Sequence, residues 1–167
     1  NTGNRGLIQS GSGAVINNSG TWLDQTTFAI GIDNAYGGAT ANFNNAGSFV
    51  KTGASTTTIG IAFNNSGSVD VQNGWLALSG GLSNFSGTAL SGGTYRITDP
   101  GTLSFPGANI VTNAAIIELD GPNSRILNST NSANALANFA VNAASARFSI
   151  TNGRNFTSLG AFGNQGR

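Results

Sequence analysis

Hydrophobic and polar residues alternate along this chain in short bursts, and clusters of Asn, Ser and Gly separate the bursts. The clearest unit runs from Phe63 to Gly81. A polar corner, Asn64-Asn65-Ser66-Gly67, leads into Val69-Asp70-Val71. A second corner, Asn73-Gly74, leads into Trp75-Leu76-Ala77-Leu78, and Gly80-Gly81 closes the unit. Period-two alternation puts Val69 and Val71 on one face of a strand and Asp70 on the other, then sets Leu76 and Leu78 against Ala77. Asn and Gly supply the backbone freedom that sharp corners need.

The phrase recurs at Ile16-Asn17-Asn18-Ser19-Gly20-Thr21-Trp22 and at Phe43-Asn44-Asn45-Ala46-Gly47-Ser48-Phe49, with successive offsets of 27 and 20 residues. Weaker echoes start at Phe85, Val111, Val141 and Phe162. A period of this size predicts a repeat architecture, and short strands with tight corners suit a coil of a β-solenoid better than a propeller blade. The segment from Asp33 to Thr40 reads as a loop that lengthens one coil. Thr56–Ile61, Thr94–Thr98, Leu103–Phe105, Ile110-Val111, Ile116–Leu119, Ile126-Leu127 and Arg147–Ile150 read as further strands, with Tyr95 and Ile97 inward and Arg96 outward. Only Ala133–Ala144 tolerates helix, as one turn or a lateral bulge. The expectation is an all-β chain, a single β-solenoid domain over residues 1–167 with about six to seven coils, cut from a longer repeat array.

Charge changes the picture. Charged residues are 8% of the chain and net charge is +1, while 38% of residues are hydrophobic, so the composition is not that of a disordered segment. Stacking explains the scarcity. Equivalent residues of successive coils sit about 4.8 Å apart, where like charges repel along a column, and Asn can instead form hydrogen-bonded ladders. The few cations are scattered, which argues against nucleic acid and anionic membrane as partners. No apolar run is long enough for a transmembrane helix, so membrane insertion is not expected. Cys and His are absent, which excludes disulfides, Ser-His-Asp and Cys-His catalysis and an ordinary zinc site.

The unit Phe63–Gly81 resembles the repeats of very large bacterial exported surface proteins, the autotransporter passengers and filamentous-haemagglutinin-like adhesins. Gly101-Thr102-Leu103 matches their "GTL" phrase, and Asn109–Ala115 with Ile117–Pro122 is similar too. The resemblance implies a right-handed β-solenoid exposed outside the bacterial cell, serving as a stalk, scaffold or adhesive surface.

Right-handed β-helices also include polysaccharide lyases and hydrolases, so the acids matter. They are Asp24, Asp33, Asp70, Asp99, Glu118 and Asp120. Glu118 and Asp120 share one face of a strand, and Asp99 falls a coil below. Paired carboxylates could hydrolyse glycosides or hold Ca²⁺, but outward polar positions beside Arg96 and Arg125 are the simpler reading. Thr56-Thr57-Thr58 would suit an ice-binding face only if repeated on many coils. Trp22, Trp75, Tyr36 and Tyr95 are candidate sugar-stacking platforms and, more simply, packing residues. The Asn-x-Ser/Thr phrases at Asn17, Asn64, Asn84, Asn128 and Asn155 arise by chance in a chain this rich in those residues.

The expectation is therefore a non-catalytic structural or adhesive element at the bacterial surface, with no catalytic, cofactor-binding or metal-binding residues and no cofactor. Its partners are further coils or copies joined end to end, through corners at Asn1-Thr2-Gly3 and Asn164-Gln165-Gly166, and possible cell-surface glycans. A carbohydrate-active β-helix enzyme and a glycan-binding adhesin are the alternatives.

Overall fold

The computed structural model describes residues 7–167; the corner expected at Asn1-Thr2-Gly3 lies outside them. The described chain is all-β, without a helix. It winds through β1 (Leu7–Gln9), β2 (Val15–Asn18) and β3 (Thr21–Asp24), then β4 (Ile30–Asp33), β5 (Asn42–Asn45) and β6 (Ser48–Lys51), then β7 (Thr56–Ile59), β8 (Ala62–Asn65) and β9 (Ser68–Val71). The fourth coil holds β10 (Trp75–Ala77), β11 (Phe85–Ser86) and β12 (Ala89–Thr98), and the fifth β13 (Thr102–Phe105) and β14 (Thr112–Asp120). The sixth holds β15 (Arg125–Asn128), β16 (Val141–Asn142) and β17 (Arg147–Thr151), and β18 (Gly163–Asn164) belongs to a seventh.

Strands one coil apart pair in parallel, which makes three sheets along the axis: β1-β4-β7-β10-β13-β15, β2-β5-β8, and a third running from β3 through β6, β9, β12 and β14 to β16 and β18, with β17 also on β14. The chain is a β-solenoid. Each of the first three coils has three strands, because Asn64 and Asn65, expected as part of a corner, end strand β8 instead. Ser66 and Gly67 alone make the turn. Likewise Ile110 and Val111 form no strand, although Ile110 is buried.

Inward rows form the core. Phe49 pairs in register with Val69, Val69 with Tyr95, and Tyr95 with Ile117; all four are fully buried. Burying such a side chain contributes about 1.5–3 kcal/mol. Phe43 stacks on Phe63 and meets Trp22 and Phe49 edge-on, while Phe139, Phe148, Phe156 and Phe162 cluster at the other end. The corners are as tight as the core. A Cβ on Gly67 would lie 2.0 Å from the Gly47 carbonyl oxygen, and one on Gly47 2.0 Å from that of Gly20, so these glycines serve the close stacking of coils.

Extra residues leave the rod sideways. The loop expected from Asp33 to Thr40 spans residues 34–41, because Asp33 ends β4. The fourth coil carries a small antiparallel hairpin of β11 and the start of β12, and the register of β12 on β14 shifts at Ser91–Thr94, around Gly92 and Gly93, both at positive φ. The stretch from Ala133 to Ala144 is neither a helix nor a lateral bulge: its start folds back on β15, with Asn128 N–H donating to Ala133 and Ala135 N–H to Ile126, its Ala135, Leu136 and Phe139 are buried in the core, and it ends in β16.

Candidate functional site: stacked columns and their ends

The most ordered polar feature is a column of buried asparagines at the corner between the second and third sheets. Alternation turns the last Asn of each Asn-Asn pair inward, and parallel register stacks it on its equivalent. Asn18 donates from Nδ2 to Asn45 Oδ1 at 2.7 Å and to the Ser48 carbonyl at 3.0 Å. Asn45 repeats this with Asn65 Oδ1 and the Ser68 carbonyl, both at 2.8 Å. A second run joins Asn113 to Asn142 at 2.9 Å and Asn142 to the exposed Asn164 at 2.8 Å. Between the runs Leu90, paired with Asn113, takes the position, and Asn84 terminates the first run by accepting from Asn65 N–H and donating to its carbonyl.

In both runs each amide donates toward the later coil, so the column has a direction. Among the described residues Asn18 Oδ1 accepts no hydrogen bond, and Asn164 Nδ2 donates none. Beside Asn18, strands β1 and β2 pair on one side only among the described residues, and Val15 on β2 is 53% exposed. At the opposite end of the first sheet, the 133–135 segment covers the outer edge of β15. Among the described residues the two ends thus differ: one offers strand edges, and the other is partly covered.

Inside the third sheet, Asp24 and Lys51 occupy equivalent positions in successive coils. Both are fully buried, 3.5 Å apart. Asp24 accepts from Thr26 N–H and Oγ1 and from Thr57 Oγ1, and Lys51 donates to the Gly53 carbonyl at 3.0 Å. Burial alone would raise the Asp24 carboxyl, but the Thr57 and Thr26 hydrogen bonds and the Lys51 ammonium hold it below its ordinary value. Burial lowers the Lys51 ammonium, and Asp24 opposes that. Each partner's charge favours the ionised form of the other.

The sequence-derived acids do not converge. Asp70, Arg96 and Glu118 stand in one outward register column of alternating sign. Glu118 pairs with Arg96 at 2.7 Å and with Arg147 at 3.3 Å. Asp120 shares the outer face of β14 with Glu118 as expected, but it accepts from Thr151 and Asn152. Asp99 lies a coil below Gly121, bonded to Asn123 N–H and Nδ2. Asp33 lies on β4, in another sheet from Asp70, Glu118 and Asp120. Among the described residues no three acids gather into a metal-binding group.

The aromatic and Thr candidates disperse as well. Trp22 packs on Phe43 and Phe49, and Tyr95 is fully buried. Trp75 sits on the outer side of β10 and donates from Nε1 to Ser104 at 2.7 Å, and Tyr36, 74% exposed, lies in the 34–41 loop. Thr57 turns inward to Asp24, and the in-register neighbours of outward Thr58 are Gly31 and Ala77, so no Thr array forms. No family model, curated protein or solved structure matches this chain.

Proposed function

We propose that this chain is a non-catalytic structural or adhesive rod element displayed outside a bacterial cell, extended end to end by further coils or by further copies. The observation that supports this most is the directional asparagine column. Acceptor Asn18 Oδ1 stands at one end and donor Asn164 Nδ2 at the other. Complementary ends favour a head-to-tail, heterologous contact, which propagates rather than closing a dimer. Strands β1 and β2, paired on one side only among the described residues, supply backbone N–H and C=O groups for the same contact. The dispersal of the acids is consistent with a mechanical role. Outside the cell such a rod would be a stalk or scaffold, as the resemblance to exported surface proteins implies.

Sedimentation and electron microscopy of the 167-residue chain test the reading. Rods that lengthen with concentration are expected, and Val15→Lys, which puts a charge on the β2 edge, is expected to shorten them. A particle that stays monomeric at high concentration counts against end-to-end assembly, and depolymerisation of a polysaccharide by the purified chain overturns the non-catalytic part.

A further inference from the structure

Three of the six described cations have an acidic partner. Lys51 pairs with Asp24, and Arg96 and Arg147 share Glu118. Among the described residues Arg125 and Arg154 form no ion pair, yet both border one lateral hollow of about 290 Å³ beside the turn that follows β14. Arg125 opens β15 and is exposed; Arg154, in the next coil, is half-buried. The Arg154 Nε–H is buried without an acceptor, and one of its Nη groups donates to the Asn155 carbonyl. The nearby carboxylates are engaged elsewhere, Asp99 by Asn123 and Asp120 by Thr151 and Asn152.

Two guanidinium groups on one hollow repel each other unless an anion lies between them. The same hollow is bordered by Ser132 and Asn134, and by Pro122, which offers a flat apolar surface. Arginine forks match planar carboxylates in charge and geometry. We infer that this hollow binds the carboxylate of an acidic saccharide, with Arg125 and Arg154 holding the carboxylate and Ser132 and Asn134 meeting sugar hydroxyls. The site is lateral, so it stands or falls independently of assembly through the ends.

Calorimetric titration of the full chain at low ionic strength tests this with four probes: a uronic-acid oligosaccharide, its methyl ester, sodium acetate and inorganic sulfate. The acidic oligosaccharide is expected to bind at least tenfold more tightly than the other three. Arg125→Gln and Arg154→Gln are each expected to weaken it at least tenfold while leaving the melting temperature and circular dichroism spectrum unchanged. Arg147→Gln, whose partner is Glu118, is expected to leave binding intact. Equal binding of the methyl ester overturns the carboxylate reading, and equal binding of acetate or sulfate overturns the saccharide. Absence of binding, or unchanged binding by the Arg125→Gln/Arg154→Gln double variant, overturns the site.

Discussion

Lys51 reaches Asp24 across one coil inside the core, 3.5 Å from nitrogen to oxygen, with neither side chain exposed to solvent. The same register column continues through Val71 and Ile97 to Leu119, so an ion pair occupies a place that later coils fill with hydrocarbon. Removing one partner leaves an uncompensated buried charge, which costs about 3–5 kcal/mol, whereas an apolar replacement of both is often neutral or stabilising. Lys51→Met is therefore expected to destabilise strongly, and Asp24→Leu/Lys51→Met to recover most of the loss. Urea denaturation of the single and double variants measures this.

The same pair sets an acid limit. The folded Asp24 carboxyl lies below its ordinary value of 3.8. Its contribution is then complete above that value and is lost as pH falls through the folded value. Denaturation midpoints are expected to drop below about pH 4, with a shallower drop for Asp24→Asn. Parallel curves for the two proteins would show that Asp24 does not carry the effect.

Asn45 sits mid-column, bonded to Asn18, Asn65 and the Ser68 carbonyl. Asn45→Ala strands buried partners at about 1–3 kcal/mol each, while Asn44→Ala, on the half-exposed face, is expected to stay within about 0.5 kcal/mol. Asn45→Asp is expected to be worse than Asn45→Ala, since it sets an acceptor against the Asn65 and Ser68 oxygens. Chemical denaturation of the three variants ranks them.

Facing decides a further comparison. Leu76 is fully buried, whereas Asp70 lies on the outer face in register with Arg96. Leu76→Asp is expected to abolish cooperative folding, because the new charge has no partner. Asp70→Asn is expected to cost under about 1 kcal/mol. Similar melting temperatures would reject the assigned faces.

Gly20 and Gly67 end the same Asn-Asn-Ser-Gly phrase, yet their surroundings differ. A Cβ at Gly67 meets the Gly47 carbonyl, whereas at Gly20 nothing among the described residues lies within 4 Å. Gly67→Ala is expected to be far more destabilising than Gly20→Ala, and thermal melts of the two variants check it.

The recurring phrase made the solenoid, the coil number and most facings legible, because period-two alternation and corner chemistry are local properties. The Asn column was legible as a principle of stacking, but not its burial: Asn65 was expected in a corner, and only pairing with Asn45 shows that it ends a strand with its amide inward. Alternation in Ser48–Lys51 already places Lys51 on the face of Phe49, yet a lysine there reads as solvent-facing until Asp24 appears one coil away. The hairpin of β11 and the fold-back of 133–135 onto β15 stayed hidden because they interrupt the period. The hollow between Arg125 and Arg154 joins residues of different coils, which no local pattern announces.

Successive asparagine rungs are separated by 27, 20, 29 and 22 residues of chain, yet each hydrogen bond between them spans 2.7–2.9 Å. Axial length in this molecule is therefore counted in turns and not in residues. Insertions at corners enlarge the girth and leave the reach of the rod unchanged, so its surface can diversify by adding loops while its span remains a fixed ruler.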